Sequence, residues 1–79
     1  MKISFEKKAI KNIKKLDKAF RERILSAIGM LPKGDVKKLK GYIDLFRLRV
    51  GDYRIVFSVD GENMRIYSVL PLGEAYRRL

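Results

Sequence analysis

The stretch Leu45-Phe46-Arg47-Leu48-Arg49-Val50-Gly51-Asp52-Tyr53-Arg54-Ile55 decides the fold. Its apolar and charged residues alternate with period two, the period of a β-strand rather than of a helix. Phe46, Leu48 and Val50 share one side, and Arg47 and Arg49 share the other. Gly51-Asp52 interrupts the alternation, and glycine supplies the positive φ that a two-residue hairpin turn needs. Beyond it, Tyr53, Ile55, Phe57 and Val59 fall on one side, with Arg54, Val56 and Ser58 on the other. Such a turn sets Val50 against Tyr53, Leu48 against Ile55 and Phe46 against Phe57, so all six land on one face. The same register puts Arg49 directly opposite Arg54, with Arg47 one step along. Like charges directly opposed on a sheet are destabilising, so the cluster calls for an anion. Guanidinium offers planar, bidentate donors that match phosphate.

Downstream, a second turn around Asp60-Gly61-Glu62-Asn63 leads into a third strand, Met64 to Leu70, closed by Pro71 and Gly73. There Arg65, Tyr67 and Val69 have one parity, and Ile66, Ser68 and Leu70 the other. A compact turn places Tyr67 beside Arg54; a four-residue loop places it opposite Val56. Either register yields a face bearing Arg47, Arg49, Arg54, Arg65 and Tyr67. That face has cations for phosphate and an aromatic ring for a base. A polar outer face of an antiparallel sheet is the bland alternative. Glu74 to Leu79 suits a short terminal helix.

Upstream, Lys2 to Phe5 reads as a short strand. From Glu6 the period changes: Phe5, Ala9, Ile13 and Leu16 lie on one helical face, and Lys7, Lys8, Lys11, Lys14 and Lys15 fill most of the remainder. Asp17 suits the N-cap of a second helix, whose apolar stripe is Phe20, Ile24, Ala27, Ile28 and Leu31. Pro32-Lys33-Gly34 ends it. Asp35 to Asp44, with Lys37, Lys38 and Lys40, has little periodicity and reads as a basic connecting loop. The expectation is one α+β domain over residues 1–79. It comprises an N-terminal strand, a helical hairpin packed on a three-stranded antiparallel sheet, and a short C-terminal helix.

Composition narrows the function. The 19 Lys+Arg against 9 Asp+Glu give a net charge of +10 on 79 residues. Self-repulsion of that size is offset by a polyanion, whose counterions are released on binding, or by an acidic protein partner. There is no Cys and no His. Thiol nucleophiles, His-based triads and the usual zinc sites therefore cannot be built. The five aspartates, Asp17, Asp35, Asp44, Asp52 and Asp60, are scattered over turns and caps, a poor basis for a metal site, and no Walker-type phosphate loop occurs. The expectation is no metal and no cofactor, with any phosphoryl chemistry left to arginine, tyrosine and lysine. No apolar run approaches the roughly 20 residues that span a bilayer. The lack of cysteine fits a cytoplasmic location.

Leu39-Lys40-Gly41 followed by Leu45 to Ile55 resembles the central signature of the RelE/ParE toxin superfamily. The RLRVGDYRI stretch is the specific part. The ending Val69-Leu70-Pro71-Leu72-Gly73-Glu74-Ala75-Tyr76 resembles the RelE-side close of that fold, and the order of elements matches over nearly the whole chain. The resemblance implies a toxin of a toxin–antitoxin pair: a ribosome-dependent endoribonuclease, or mRNA interferase. Such toxins cut mRNA in the A site through attack of a ribose 2′-hydroxyl on the adjacent phosphate. It implies a cognate antitoxin, expected to be acidic, and the ribosome and mRNA as partners. By position it implies catalytic roles for Arg47, Arg49, Arg54 and Tyr76. In it, Arg54 holds the scissile phosphate and Tyr76 orients a base. Lys40, Arg65, Tyr67 and Arg77 are candidate RNA-binding residues.

One position departs from the family pattern. Leu72 stands where members with this ending commonly carry an arginine that supports transition-state charge or leaving-group protonation. The chain is then an attenuated natural member, uses another arginine such as Arg77, or carries an introduced detoxifying change. Two other functions stay open on the same fold: a ParE-like DNA gyrase inhibitor without nuclease activity, and a non-enzymatic basic module that binds RNA or only an antitoxin.

Overall fold

The computed structural model describes residues 2–42 and 44–71. In chain order the elements are β1 (Lys2–Phe5), α1 (Lys7–Lys14), α2 (Lys18–Gly29), β2 (Asp35–Lys38), β3 (Leu45–Val50), β4 (Tyr53–Asp60) and β5 (Asn63–Pro71). The five strands form one sheet in the order β1-β5-β4-β3-β2. Only β1 runs parallel to its neighbour, β5.

The expected strand, helical hairpin and β3–β4–β5 meander are all present, but the sheet has five strands rather than three. Two segments account for the difference. β1 adds to the β5 edge, with Ile3 beside Met64 and Phe5 beside Ile66. Asp35 to Lys38, expected to be loop, pairs antiparallel with β3. Its four residues are too few for a clear period, and Val36 is its sole apolar contribution to the core. Charged residues on a short edge strand are a common guard against edge-to-edge association. The expected C-terminal helix lies outside the described residues.

Both helices pack on one sheet face. Ala9, Ile13 and Leu16 from the first, and Ile24 and Ile28 from the second, meet Leu48, Val50, Ile55, Phe57, Met64, Ile66 and Val69. Asp17 caps α2 as its position suggests, its carboxylate accepting from the Phe20 N–H at 2.8 Å. Phe20 then meets Tyr53 edge-on at 4.7 Å, which ties the start of α2 to the hairpin end.

The hairpin register is the one read from the sequence: Val50 pairs with Tyr53, Arg49 with Arg54, Leu48 with Ile55 and Phe46 with Phe57. Gly51 sits at φ +58, in the left-handed region that glycine reaches without cost. The second turn is equally tight, since Asp60 pairs with Asn63. Further along, the register shifts between Val56 and Phe57. Phe57 pairs with Ile66 while Val56 pairs with Ser68, so Tyr67 is the extra residue of a β-bulge. Neither expected position of Tyr67 is observed, because Arg54 pairs with Leu70. The bulge also reverses the expected parity of the strand end. Val69 joins the helix-side core, whereas Leu70 packs with Leu39 and Val56 on the other face.

Beyond Phe5 the edge of β5 is covered by α1 instead of by β1. The Glu6 N–H donates to the Ile66 carbonyl at 2.9 Å. Asn12 Oδ1 accepts the Val69 N–H at 3.0 Å. These contacts satisfy edge groups that would otherwise be costly to bury.

Candidate RNA-binding face

The sheet face turned away from the helices holds Arg47, Arg49, Arg54, Arg65 and Tyr67, and it divides into three regions. At the Gly51 end stand Arg49 and Arg54, directly opposed across β3 and β4. Arg49 is exposed, with Nε 3.4 Å from the Gly51 carbonyl oxygen. Arg54 is half-buried. The sequence brought these two together correctly.

Arg47 lies one row inward, and its situation differs from that of the other two. Its side chain is 8% exposed. Nη1 donates to the Asp35 carbonyl oxygen at 2.8 Å and lies 3.3 Å from the Asp35 carboxylate. A buried guanidinium is tolerable only when paired and hydrogen-bonded, and β2 supplies both kinds of partner. The charge expected to wait for phosphate is therefore neutralised within the sheet. The sequence hid this because Asp35 opposes β3 only once β2 is recognised as a strand.

The middle of the face is apolar: Leu39, Val56 and Leu70 are buried, with Leu45 and Tyr67 packed beside them. A wholly polar outer face is thus not what the chain builds. The third region lies toward Gly61. Arg65 is there, Nη1 3.4 Å from Glu6 Oε1. Ser58 and Arg54 are four residues apart on β4, about 13 Å at strand rise. Since Arg65 pairs with Ser58, it does not belong to the Arg49/Arg54 cluster. Ser58 Oγ donates to Tyr67 Oη at 3.3 Å. Lys40 is exposed on the turn after β2, next to Gly41 and the exposed Tyr42. Leu72, Tyr76 and Arg77 lie outside the described residues.

Sequence reasoning missed two cations. A side chain at Gly51 would meet the Arg23 guanidinium of α2 at 3.6 Å. Arg23, Lys33 and Arg49 line a cleft of about 250 Å³ between the end of α2 and the hairpin turn. Arg23 also stands over the Phe20 ring, 5.7 Å from its centre. Its place just off the α2 apolar stripe, three residues after Phe20, was the available signal. Positive charge thus reaches round the hairpin tip from both sides of the sheet. Among the described residues no group of three or more acidic, His or Cys side chains is placed to hold a metal. No helix among them is long and apolar enough to cross a membrane.

Known proteins share this fold. The sequence model of the family described as "ParE toxin of type II toxin-antitoxin system, parDE" matches residues 3–76. Toxin RelE3 of Methanocaldococcus jannaschii is 36% identical, with 96% of each chain covered. The RelB-RelE antitoxin-toxin complex from Methanococcus jannaschii contains a chain that superposes with a TM-score of 0.78 at 32% identity. The match covers 92% of this chain and 94% of that one. The archaeal RelE-RelB complex from Pyrococcus horikoshii gives 0.77 at 32% identity, covering 91% and 94%.

Proposed function

Because the chain belongs to the ParE toxin family and is a RelE-type toxin of a toxin–antitoxin pair, we propose that it is a ribosome-dependent endoribonuclease that cuts mRNA in the A site. The observation that carries this reading is the direct opposition of Arg49 and Arg54 at the hairpin tip. Two guanidiniums on one edge of a sheet face make a clamp for a phosphodiester. They would stabilise the extra negative charge as phosphorus becomes five-coordinate.

In this reading Arg54 holds the scissile phosphate and Arg49 binds a non-bridging oxygen. The ribose 2′-hydroxyl loses its proton and bonds to phosphorus. The bond to the 5′-oxygen breaks, and that oxygen takes up a proton. The products are a 2′,3′-cyclic phosphate and a 5′-hydroxyl. Arg47 is a positioning residue: held by Asp35, it fixes β2 against β3 and so shapes the strand that carries Arg49. Tyr76 orients a base, and Arg23, Lys33 and Lys40 draw in the strand. Leu72 leaves the set one arginine short, so the wild-type rate is expected to be low. Leu72→Arg should raise cleavage and growth arrest at matched expression; equal effects of both versions would count against that role.

An antitoxin partner is supported by the archaeal relatives, which are complexes with RelB. The +10 charge supports an acidic one. The cytoplasm follows as the place of action from the proposed target. A second reading, gyrase inhibition without nuclease activity, is favoured by the ParE description of the matching family. Induced expression followed by 5′-end mapping of mRNA separates the two. Codon-phased cuts that vanish when translation is blocked support the nuclease. Intact mRNA with broken or relaxed DNA supports the gyrase inhibitor.

A further inference from the structure

At the Gly61 end of the outer face lies an open basin of about 580 Å³, within the roughly 300–1,000 Å³ range of small-ligand sites. Its walls bring together groups that serve different parts of a nucleotide. Tyr67 offers a ring, Lys2 and Arg65 cations, Asn63 an amide, Ser58 a hydroxyl, and Asp44 and Asp60 carboxylates. We propose that this basin is a guanine-selective subsite for a nucleotide neighbouring the one cleaved.

The argument begins with Tyr67. As the extra residue of the bulge it stands outside the ladder. Its hydroxyl is tied to Ser58, and the apolar patch of Val56 and Leu70 supports it. A ring fixed in this way is a platform for stacking, the usual means of holding an unpaired RNA base. The carboxylates supply the selectivity. Asp44 and Asp60 are exposed, and neither has an ion-pair partner among the described residues, although the chain is strongly cationic. Acidic side chains repel phosphate, so their place beside a ring suits a base edge instead. Guanine presents two adjacent N–H donors there, which one carboxylate accepts together. Uracil presents a single N–H flanked by carbonyls, which a carboxylate repels. Lys2 and Arg65, the latter also beside Glu6, remain for the phosphate. The separation of about 13 Å along β4 between Ser58 and Arg54 assigns the basin to a flanking nucleotide, not to the scissile one.

The inference rests on the reading of this face as a path for single-stranded RNA. Its test is an NMR titration of the full chain with short single-stranded oligoribonucleotides that differ at one base. The guanine ligand should shift the Tyr67 ring and the Ser58 and Asn63 amides, and bind about tenfold tighter than its uracil counterpart. The double variant Asp44→Asn/Asp60→Asn, confined to exposed positions, should bind both alike, and Tyr67→Leu should weaken both. Equal affinity of the wild type for guanine and uracil, or shifts confined to the Arg49/Arg54 end, would overturn the subsite. Ribosomal cleavage can fail while guanine selectivity persists, which sinks the nuclease reading alone. Cleavage without base selectivity in the titration sinks the subsite alone.

Discussion

Arg47 and Asp35 are joined twice, through the backbone carbonyl at 2.8 Å and through the carboxylate at 3.3 Å. The two bonds are unequal in consequence. The carboxylate is half exposed, so its share is a screened ion pair worth at most about 1 kcal/mol. The carbonyl bond is charge-assisted and sheltered. Arg47→Met should therefore cost about 1–3 kcal/mol in urea unfolding. It should also remove hydrogen-exchange protection from Asp35–Lys38. Asp35→Ala should cost less than about 1 kcal/mol. Equal costs for the two variants would refute this division.

Arg49 should behave in the opposite way. Removing it relieves a like-charge pair, so Arg49→Ala should leave stability unchanged or raise it by a few tenths of a kcal/mol at low salt. RNA affinity should fall, and the slope of log affinity against log salt should shrink by about one. Fluorescence titrations at several salt concentrations measure both. An unchanged slope would remove Arg49 from the phosphate contacts.

These two arginines mark where the sequence was legible and where it was not. Alternation around a Gly51 turn fixes the β3–β4 register completely, because one face must collect all the apolar side chains. Hence Arg49 and Arg54 could be paired in advance. The environment of Arg47 depends on β2, whose four residues carry one buried-side apolar group and no period. The Tyr67 bulge left a fainter trace. The core residues Met64 and Ile66 are spaced by two, but the next one, Val69, follows by three. A strand read with constant alternation misassigns everything beyond that step.

Asn12 on α1 accepts a β5 backbone N–H, that of Val69, at 3.0 Å. Asn12→Ala strands a part-buried donor and should cost about 1–3 kcal/mol. Thermal unfolding gives the magnitude. Exchange of the Val69 amide gives the location: it should speed up more than that of Ile55. A uniform change across the sheet would point to general loosening instead.

The lysines of α1 repel one another. Lys11 has Lys7 and Lys15 four residues away on either side, and no acidic residue stands in the first turn of the helix. Lys11→Glu turns two repulsions into attractions, each worth a few tenths of a kcal/mol. The melting temperature should rise in dilute buffer. The gain should fade as salt shortens the screening length to about 3 Å near 1 M. A gain indifferent to salt would exclude an electrostatic origin.

The parallel pairing of β1 with β5 has a consequence for how the protein is born. Lys2–Phe5 is synthesised early, but its partner strand, Asn63–Pro71, follows only after both helices and the other three strands. Contacts of such long sequence separation form late, because chain closure must precede them. Until β5 has been made, β1 and α1 have no sheet edge to complete. A toxin of this topology therefore leaves the apolar sides of its two helices partly uncovered until β5 is in place.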